Sequence, residues 1–398
     1  MNIGIFTDSY KPYISGVVTS ICTFRDELEK MGHNLFIFAP SYPGYNVRDK
    51  NVYRYYSVPS PTNPDYTLAI PIFPGMSSLV KNLDLDIIHV HSPFTMGRRG
   101  LHFARRYDLP IVFTYHTLYD KYVHYVPVAQ DLARDVAIKY STYFCNQCDH
   151  IIVPSHEVDA ILTNYDIKTP RTVIPTGVSV GKFQGGDKNW FHQNYNIPRK
   201  NRILLFVGRL TKEKNLDFLL DAFNLVHNQL PDTTLILTAQ GPLEGELKNH
   251  AQNLGLSLEN EVVFTGALDF ETLINVYCAA DLFVFSSVTE TQGLVLIEAM
   301  AAGLPVVAVK AFGVQDMVDD GVNGYLTQCN INDFSSAVYR ILCNKDIYNR
   351  FSRNALVKAD SLSSYNMARK LEEVYFNLVN NHRHRRNRIK ELINWFGS

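Results

Sequence analysis

Short, continuous runs of apolar and often β-branched residues recur at 3–7, 35–39, 87–91, 111–116, 151–154 and 172–175, separated by longer stretches with helical spacing. Runs that are apolar on both faces belong to strands buried on both sides, the pattern of a parallel sheet covered by helices. A second series stands at 203–207, 235–238, 262–266, 282–286 and 306–309. The pattern predicts an α/β chain of two Rossmann-like, doubly wound parallel-sheet domains. Turn residues interrupt it from Pro175 to Gly181, with Gly185 and Gly186 beyond, which places a hinge at 175–186. The expected domains are residues 1–177 and 186–365. In the remaining segment, 366–398, Met367, Leu371, Val374, Tyr375 and Leu378 form one stripe of a helix expected to cross both domains, and a basic tail follows.

Composition narrows the class. Hydrophobic residues make up 46% of the 398 and charged residues 19%, with 38 Lys and Arg against 39 Asp and Glu. That balance excludes a disordered polar chain and a generally basic nucleic-acid binder. The N-terminus has no basic stretch leading into a long apolar core, so it reads as a first strand rather than a signal peptide. The most apolar stretch, 294–312, contains Glu298, Gly303, Pro305 and Lys310 and does not suit a membrane span. Six scattered cysteines fit a reducing cytoplasm, and Cys145 and Cys148 read as structural.

Ligands of open parallel sheets sit beyond the carboxyl ends of the strands, so the residues just after each run come first. After the first run, Gly16 opens a helix where backbone amides can approach an anion; a purely structural turn glycine is the alternative. After 203–207 come Arg209 and Lys214, two cations before a helix, suited to a diphosphate or merely to solvent. After 282–286 come Glu290 in a loop, Gln292 and Gly293 at a helix N-terminus open to phosphate, and Glu298 among apolar neighbours. A carboxylate there needs a partner, either sugar or ribose hydroxyls or a cation across the core. His116, at the end of 111–116, is placed to orient a hydroxyl or relay a proton, or is a satisfied buried histidine; His89 and His91 read as the wall of the same cleft. Asp84 and Asp86 precede a run, at its amino end, so no metal site is expected.

The spacing Glu290…Glu298 behind Arg209 and Lys214 resembles the retaining glycosyltransferases of family 4, and the likeness covers nearly the whole chain. It implies the GT-B fold, two Rossmann-like domains facing across a cleft, and a nucleotide-sugar donor as co-substrate with no cofactor. It assigns Glu290 to donor-sugar hydroxyls, Glu298 to the ribose, Arg209 and Lys214 to the diphosphate, and the Gly16 loop to closing over it. His116 then lines the donor–acceptor junction. Two positions depart from the family pattern: Ser15 replaces the first glycine of its turn, and Gln240 replaces the acidic residue before Gly241-Pro242.

The segment from Tyr115 to Tyr125, together with 289–293, is similar to bacterial diacylglycerol glucosyltransferases. That similarity implies transfer of a hexose, glucose, from a UDP-sugar to a membrane lipid, with Tyr119 and Tyr122 on the acceptor side; phosphatidylinositol, a soluble acceptor and epimerisation of the donor are the alternatives. In the tail, Ile389, Leu392, Ile393 and Phe396 keep helical spacing beside Trp395, among Arg385, Arg386, Arg388 and Lys390. This basic amphipathic pattern suits an anionic membrane surface, and a protein partner or solvent is the competing reading. Arg98, Arg99, Arg105 and Arg106 add cations to the N-terminal half. The expected location is cytoplasmic, peripheral at the inner face of the cell membrane.

Overall fold

A computed structural model describes residues 1–60, 66–118, 130–311 and 313–396, and every count below refers to these. The chain forms two units, Met1–Thr176 with Met367–Ser398, and Gly177–Asn366. Their strands are β1 (Asn2–Phe6), β2 (Asn34–Pro40), β3 (Val52–Tyr55), β4 (Ser57–Pro59), β5 (Thr67–Ala69), β6 (Ile87–Val90), β7 (Ile111–Thr114), β8 (His150–Val153) and β9 (Arg171–Val173) in the first unit. In the second unit they are β10 (Arg202–Val207), β11 (Thr233–Thr238), β12 (Val262–Gly266), β13 (Leu282–Phe285), β14 (Val306–Val309) and β15 (Gly324–Thr327).

The first sheet runs β3-β2-β1-β6-β7-β8-β9, parallel throughout, and β4 pairs antiparallel with β5. On one face Phe6, Phe38, Ile88, Val90, Phe113 and Ile151 meet Phe103 and Phe144 in one apolar cluster. Helix Thr95–Tyr107 lies tight on β6 because Gly97 and Gly100 face the sheet: a Cβ at Gly97 would stand 1.7 Å from the Ser92 carbonyl oxygen, and one at Gly100 2.5 Å from Val90 Cγ1. Helix Gly16–Lys30 turns Val18, Ile21, Phe24 and Leu28 inward, and Ser15 caps it by accepting the Val18 N–H. The serine that departs from the family turn is therefore a helix cap.

The second sheet runs β12-β11-β10-β13-β14-β15, also parallel, around a core that includes Phe206, Leu237, Phe283, Phe285, Leu296 and Val307. β15 escapes the hydrophobic pattern because, at the edge of the sheet, its two central residues are only half-buried, and it opens on Gly324, whose missing Cβ would sit 2.2 Å from the Val306 carbonyl oxygen. In each sheet the chain winds outward in one direction and then the other, so a switch point lies between β1 and β6 and a second between β10 and β13. Crevices at such points are where open α/β sheets bind ligands.

Candidate functional site

The second switch point gathers the residues singled out beyond β10 and β13. A short turn, Lys212–Lys214, ends at Asn215 in the left-handed conformation, and helix Leu216–Gln229 follows. Two serines from the end of β13 hold that turn: Ser286 donates to the Lys214 carbonyl (2.7 Å) and Ser287 to that of Glu213 (3.2 Å). The stitching brings the Lys214 ammonium onto the Glu290 carboxylate, whose Oε1 lies 3.1 Å from Ser287 Oγ and shares the single O–H of that serine with the Glu213 carbonyl. Both side chains are about one-sixth exposed, at 18% and 17%. The family resemblance implies different parts of a ligand for these two residues; in the structure they pair with each other. Arg209 stays exposed, with no partner for its guanidinium among the described residues.

Helix Leu294–Ala301 starts at Gly293, in the left-handed region at φ 76°, with no side chain capping it. A first turn without a cap directs unpaired amides at whatever lies in front of it. Gly313, at φ 68°, lets a second loop press against this entrance, since its Cβ would stand 2.7 Å from the Gln292 backbone nitrogen. Farther along, Glu298 Oε2 accepts the Tyr277 hydroxyl at 2.7 Å, and burial pushes the Glu298 carboxyl above its ordinary range. The partner inside the fold is thus a phenol, neither of the two kinds expected. Oε1 keeps no partner among the described residues, which leaves it available to a ligand hydroxyl.

At the first switch point Gly16 is exposed at the start of its helix, and no atom lies within 4 Å of where its Cβ would be. Packing therefore does not require glycine there. Sequence reasoning passed over Asp8, which follows β1 and is 7% exposed. Its carboxylate accepts from Ser92 Oγ and, at 3.1 Å, from the Met96 N–H, so it ties the start of helix Thr95–Tyr107 to the end of β1. The available signal was a carboxylate immediately beyond a buried strand.

Three histidines stand together, His89 within β6, His91 just beyond it and His116 just beyond β7. His89 is bound at both ring nitrogens, Nδ1 to the Tyr375 hydroxyl (2.5 Å) and Nε2 to Thr114 Oγ1 (2.6 Å). His91 Nδ1 lies 2.9 Å from His116 Nε2. Burial pushes the imidazole of His89 down to about 3 and that of His116 to about 4, and neighbouring rings add to the effect on His89 and His91. All three are neutral at pH 7. The unfolded chain takes up a proton near 6.5 while folded His89 does not, so stability present above about pH 6.5 is lost as pH falls toward 3. At pH 5 the loss from His89 alone is about 2 kcal/mol. Urea melts at pH 7.5 and 5 are expected to show this slope, and His89→Gln is expected to reduce it while the His91 and His116 shares remain.

Tyr119 and Tyr122 lie outside the described residues. Helix Ser364–Phe396 carries the tail; Arg385 is exposed, while the side chains of Arg386, Arg388, Ile389, Lys390, Leu392, Trp395 and Phe396 lie outside the description. Just before them Arg383 pairs with Asp86 (2.7 Å) and His382 with Asp108 (3.4 Å). Asp86 also accepts the Asn2 N–H at 2.9 Å, at the amino end of the sheet. Cys145 and Cys148 are buried free thiols, and burial pushes the first up to about 12.

Residues 14–182 match the model of Glycosyltransferase Family 4, and residues 187–357 that of Glycosyl transferases group 1. The alpha-monoglucosyldiacylglycerol synthase of Streptococcus pneumoniae is 33% identical over 95% of this chain and 86% of its own. The chain belongs to glycosyltransferase family 4. The protein of the same name from Acholeplasma laidlawii is 28% identical over 95% of this chain and 98% of its own. The fold of this family 4 enzyme is GT-B: the structure of Anabaena HepE in complex with UDP superimposes with a TM-score of 0.75 over 95% of this chain and 100% of that one, at 18% identity.

Proposed function

We propose that this glycosyltransferase moves glucose from UDP-glucose to the free hydroxyl of 1,2-diacylglycerol at the cytoplasmic face of a membrane, with retention at the anomeric carbon. The observation that carries the reading is the end-to-end similarity to two proteins named alpha-monoglucosyldiacylglycerol synthase. The second-unit site suits the donor. As the glycosidic bond breaks, the departing diphosphate gains negative charge, and Arg209, the two spare N–H donors of Lys214 and the amides behind Gly293 are placed to stabilise it more than the ground state. Glu290 keeps one carboxylate oxygen for a sugar hydroxyl while the other holds Lys214. Glu298 Oε1 takes a ribose hydroxyl. His116, uncharged, lines the acceptor side and can hydrogen-bond without competing for the diphosphate. Among the described residues no helix is long and apolar enough to cross a membrane.

The test is a panel of labelled UDP- and GDP-hexoses offered to the enzyme with vesicles containing diacylglycerol, phosphatidylinositol or neither, with mass analysis of the lipid. Monohexosyl diacylglycerol formed from UDP-glucose is expected. A glycosylated inositol lipid, a preference for GDP-sugars, or epimerised donor without acceptor would each replace the reading. Because side-chain cations neutralise the leaving group in this scheme, turnover is expected to persist in EDTA, and Asp84→Ala is expected to be tolerated. Complete loss in EDTA, restored by a divalent ion, contradicts it.

A further inference from the structure

Side chains alternate across a strand, so positions 89 and 91 of the β6 segment and 114 and 116 of the β7 segment share one face of the first sheet. Ile88, Val90 and Phe113 turn the other way, into the apolar cluster. Faces of buried parallel strands are ordinarily aliphatic. This one carries three imidazoles and a threonine hydroxyl, met by the Tyr375 phenol. His89 is held at both nitrogens, and its ring lies 4.2 Å from that of His91, fixing one side of the second ring. His91 is 3% exposed and stacks on His116 at 5.2 Å between centroids, with the ring planes 20° apart.

A hydrogen bond between two imidazoles uses one N–H and one lone pair. Two neutral rings together hold two of each, so one N–H and one lone pair remain, at Nε2 of His91 and Nδ1 of His116. Neither atom has a partner among the described residues. An isolated histidine can flip its ring and exchange tautomers, four arrangements in all. The bond to His91 Nδ1 excludes the flipped ones and ties the tautomer of each ring to that of the other.

We infer that His91 is a positioning residue for His116, holding its ring in one orientation and its tautomer in step with that of His91, so that Nδ1 meets a substrate hydroxyl from a fixed position. The inference rests on the placement of His116 at the acceptor side. His89 and, from the covering helix, Tyr375 are the titratable groups behind the pair, and their own bonds keep the row rigid.

The experiment compares His91→Asn, which restores a polar atom near the Nδ1 position, with His91→Gln and His91→Leu, which do not, in the full chain. Nitrogen NMR of the His116 ring reads the hydrogen bond at Nε2 without substrate, and kinetics with UDP-glucose and diacylglycerol vesicles read the consequence. In the native enzyme and His91→Asn, a hydrogen-bonded His116 Nε2 is expected, on a ring neutral down to about pH 4. In His91→Gln and His91→Leu the Nε2 signal is expected to move to that of an unbonded nitrogen, with kcat lowered about tenfold to a hundredfold and donor KM within about twofold. An unchanged Nε2 signal in both of those variants overturns the inference, as does a kcat loss that only follows the folded fraction in thermal melts. If His91→Leu does not fold, the contrast between Asn and Gln decides. His116→Ala separates the two readings: full activity in that variant removes His116 from the reaction, whereas the NMR comparison reports on positioning alone.

Discussion

Lys214→Ala is expected to lower kcat/KM for transfer by a hundredfold to a thousandfold, about 2.7–4 kcal/mol, the usual cost of removing one preorganised charge contact from a transition state. The structure adds a condition. Because the Lys214 ammonium rests on the Glu290 carboxylate, alanine removes a cation from the diphosphate and also leaves a partly buried carboxylate unpaired beside it. Glu290→Gln should lose a comparable amount for the converse reason: the amide keeps the shape but no longer anchors the ammonium. The two residues touch, so the double variant is expected to lose much less than the sum. The pair is about one-sixth exposed, so water can partly replace either partner, and melting curves of both variants are expected to stay near the native one. Additive losses in a double-mutant cycle would show that the two act independently, and near-native turnover in either folded variant would remove the pair from the donor site.

Removing residues 386–398 is expected to weaken binding to anionic vesicles about a hundredfold at low salt. The deletion takes away Arg386, Arg388 and Lys390, each worth about 1 kcal/mol near an anionic surface, together with Trp395 and Phe396. The cut belongs after Arg385 because Arg383 and His382 bind Asp86 and Asp108, and a longer deletion would disturb the fold of the first unit as well. Donor hydrolysis in solution should stay nearly unchanged while lipid glycosylation slows. High salt should reproduce part of the effect, since screening acts on the charges and not on the apolar residues. Equal vesicle binding by the truncated and intact enzymes at low salt would assign membrane attachment to another surface.

Several elements of this molecule are legible in one dimension because each depends on a local rule. A strand buried on both faces must be apolar throughout, so most strands of both sheets announce themselves, and only short edge strands such as β3 and β15 are missed. The residues that follow a strand lie at its carboxyl end whatever the packing, which brings out Gly16, His116, Arg209, Lys214 and Glu290 before any coordinates. Partners are another matter. Nothing within a few residues of Glu298 specifies Tyr277, 21 positions away, and Glu290 lies 76 residues from Lys214. His91 and His116 meet across neighbouring strands 25 residues apart, and His89 finds Tyr375 at a separation of 286. Strand order and helix docking determine those distances, and a hydrogen bond or an ion pair forms only within a few ångströms. The sequence by itself therefore determined the class of the fold and which side chains stand at the strand ends; the tertiary structure alone decided which of them share a proton or a charge, because that depends on distances through space and not on separation along the chain.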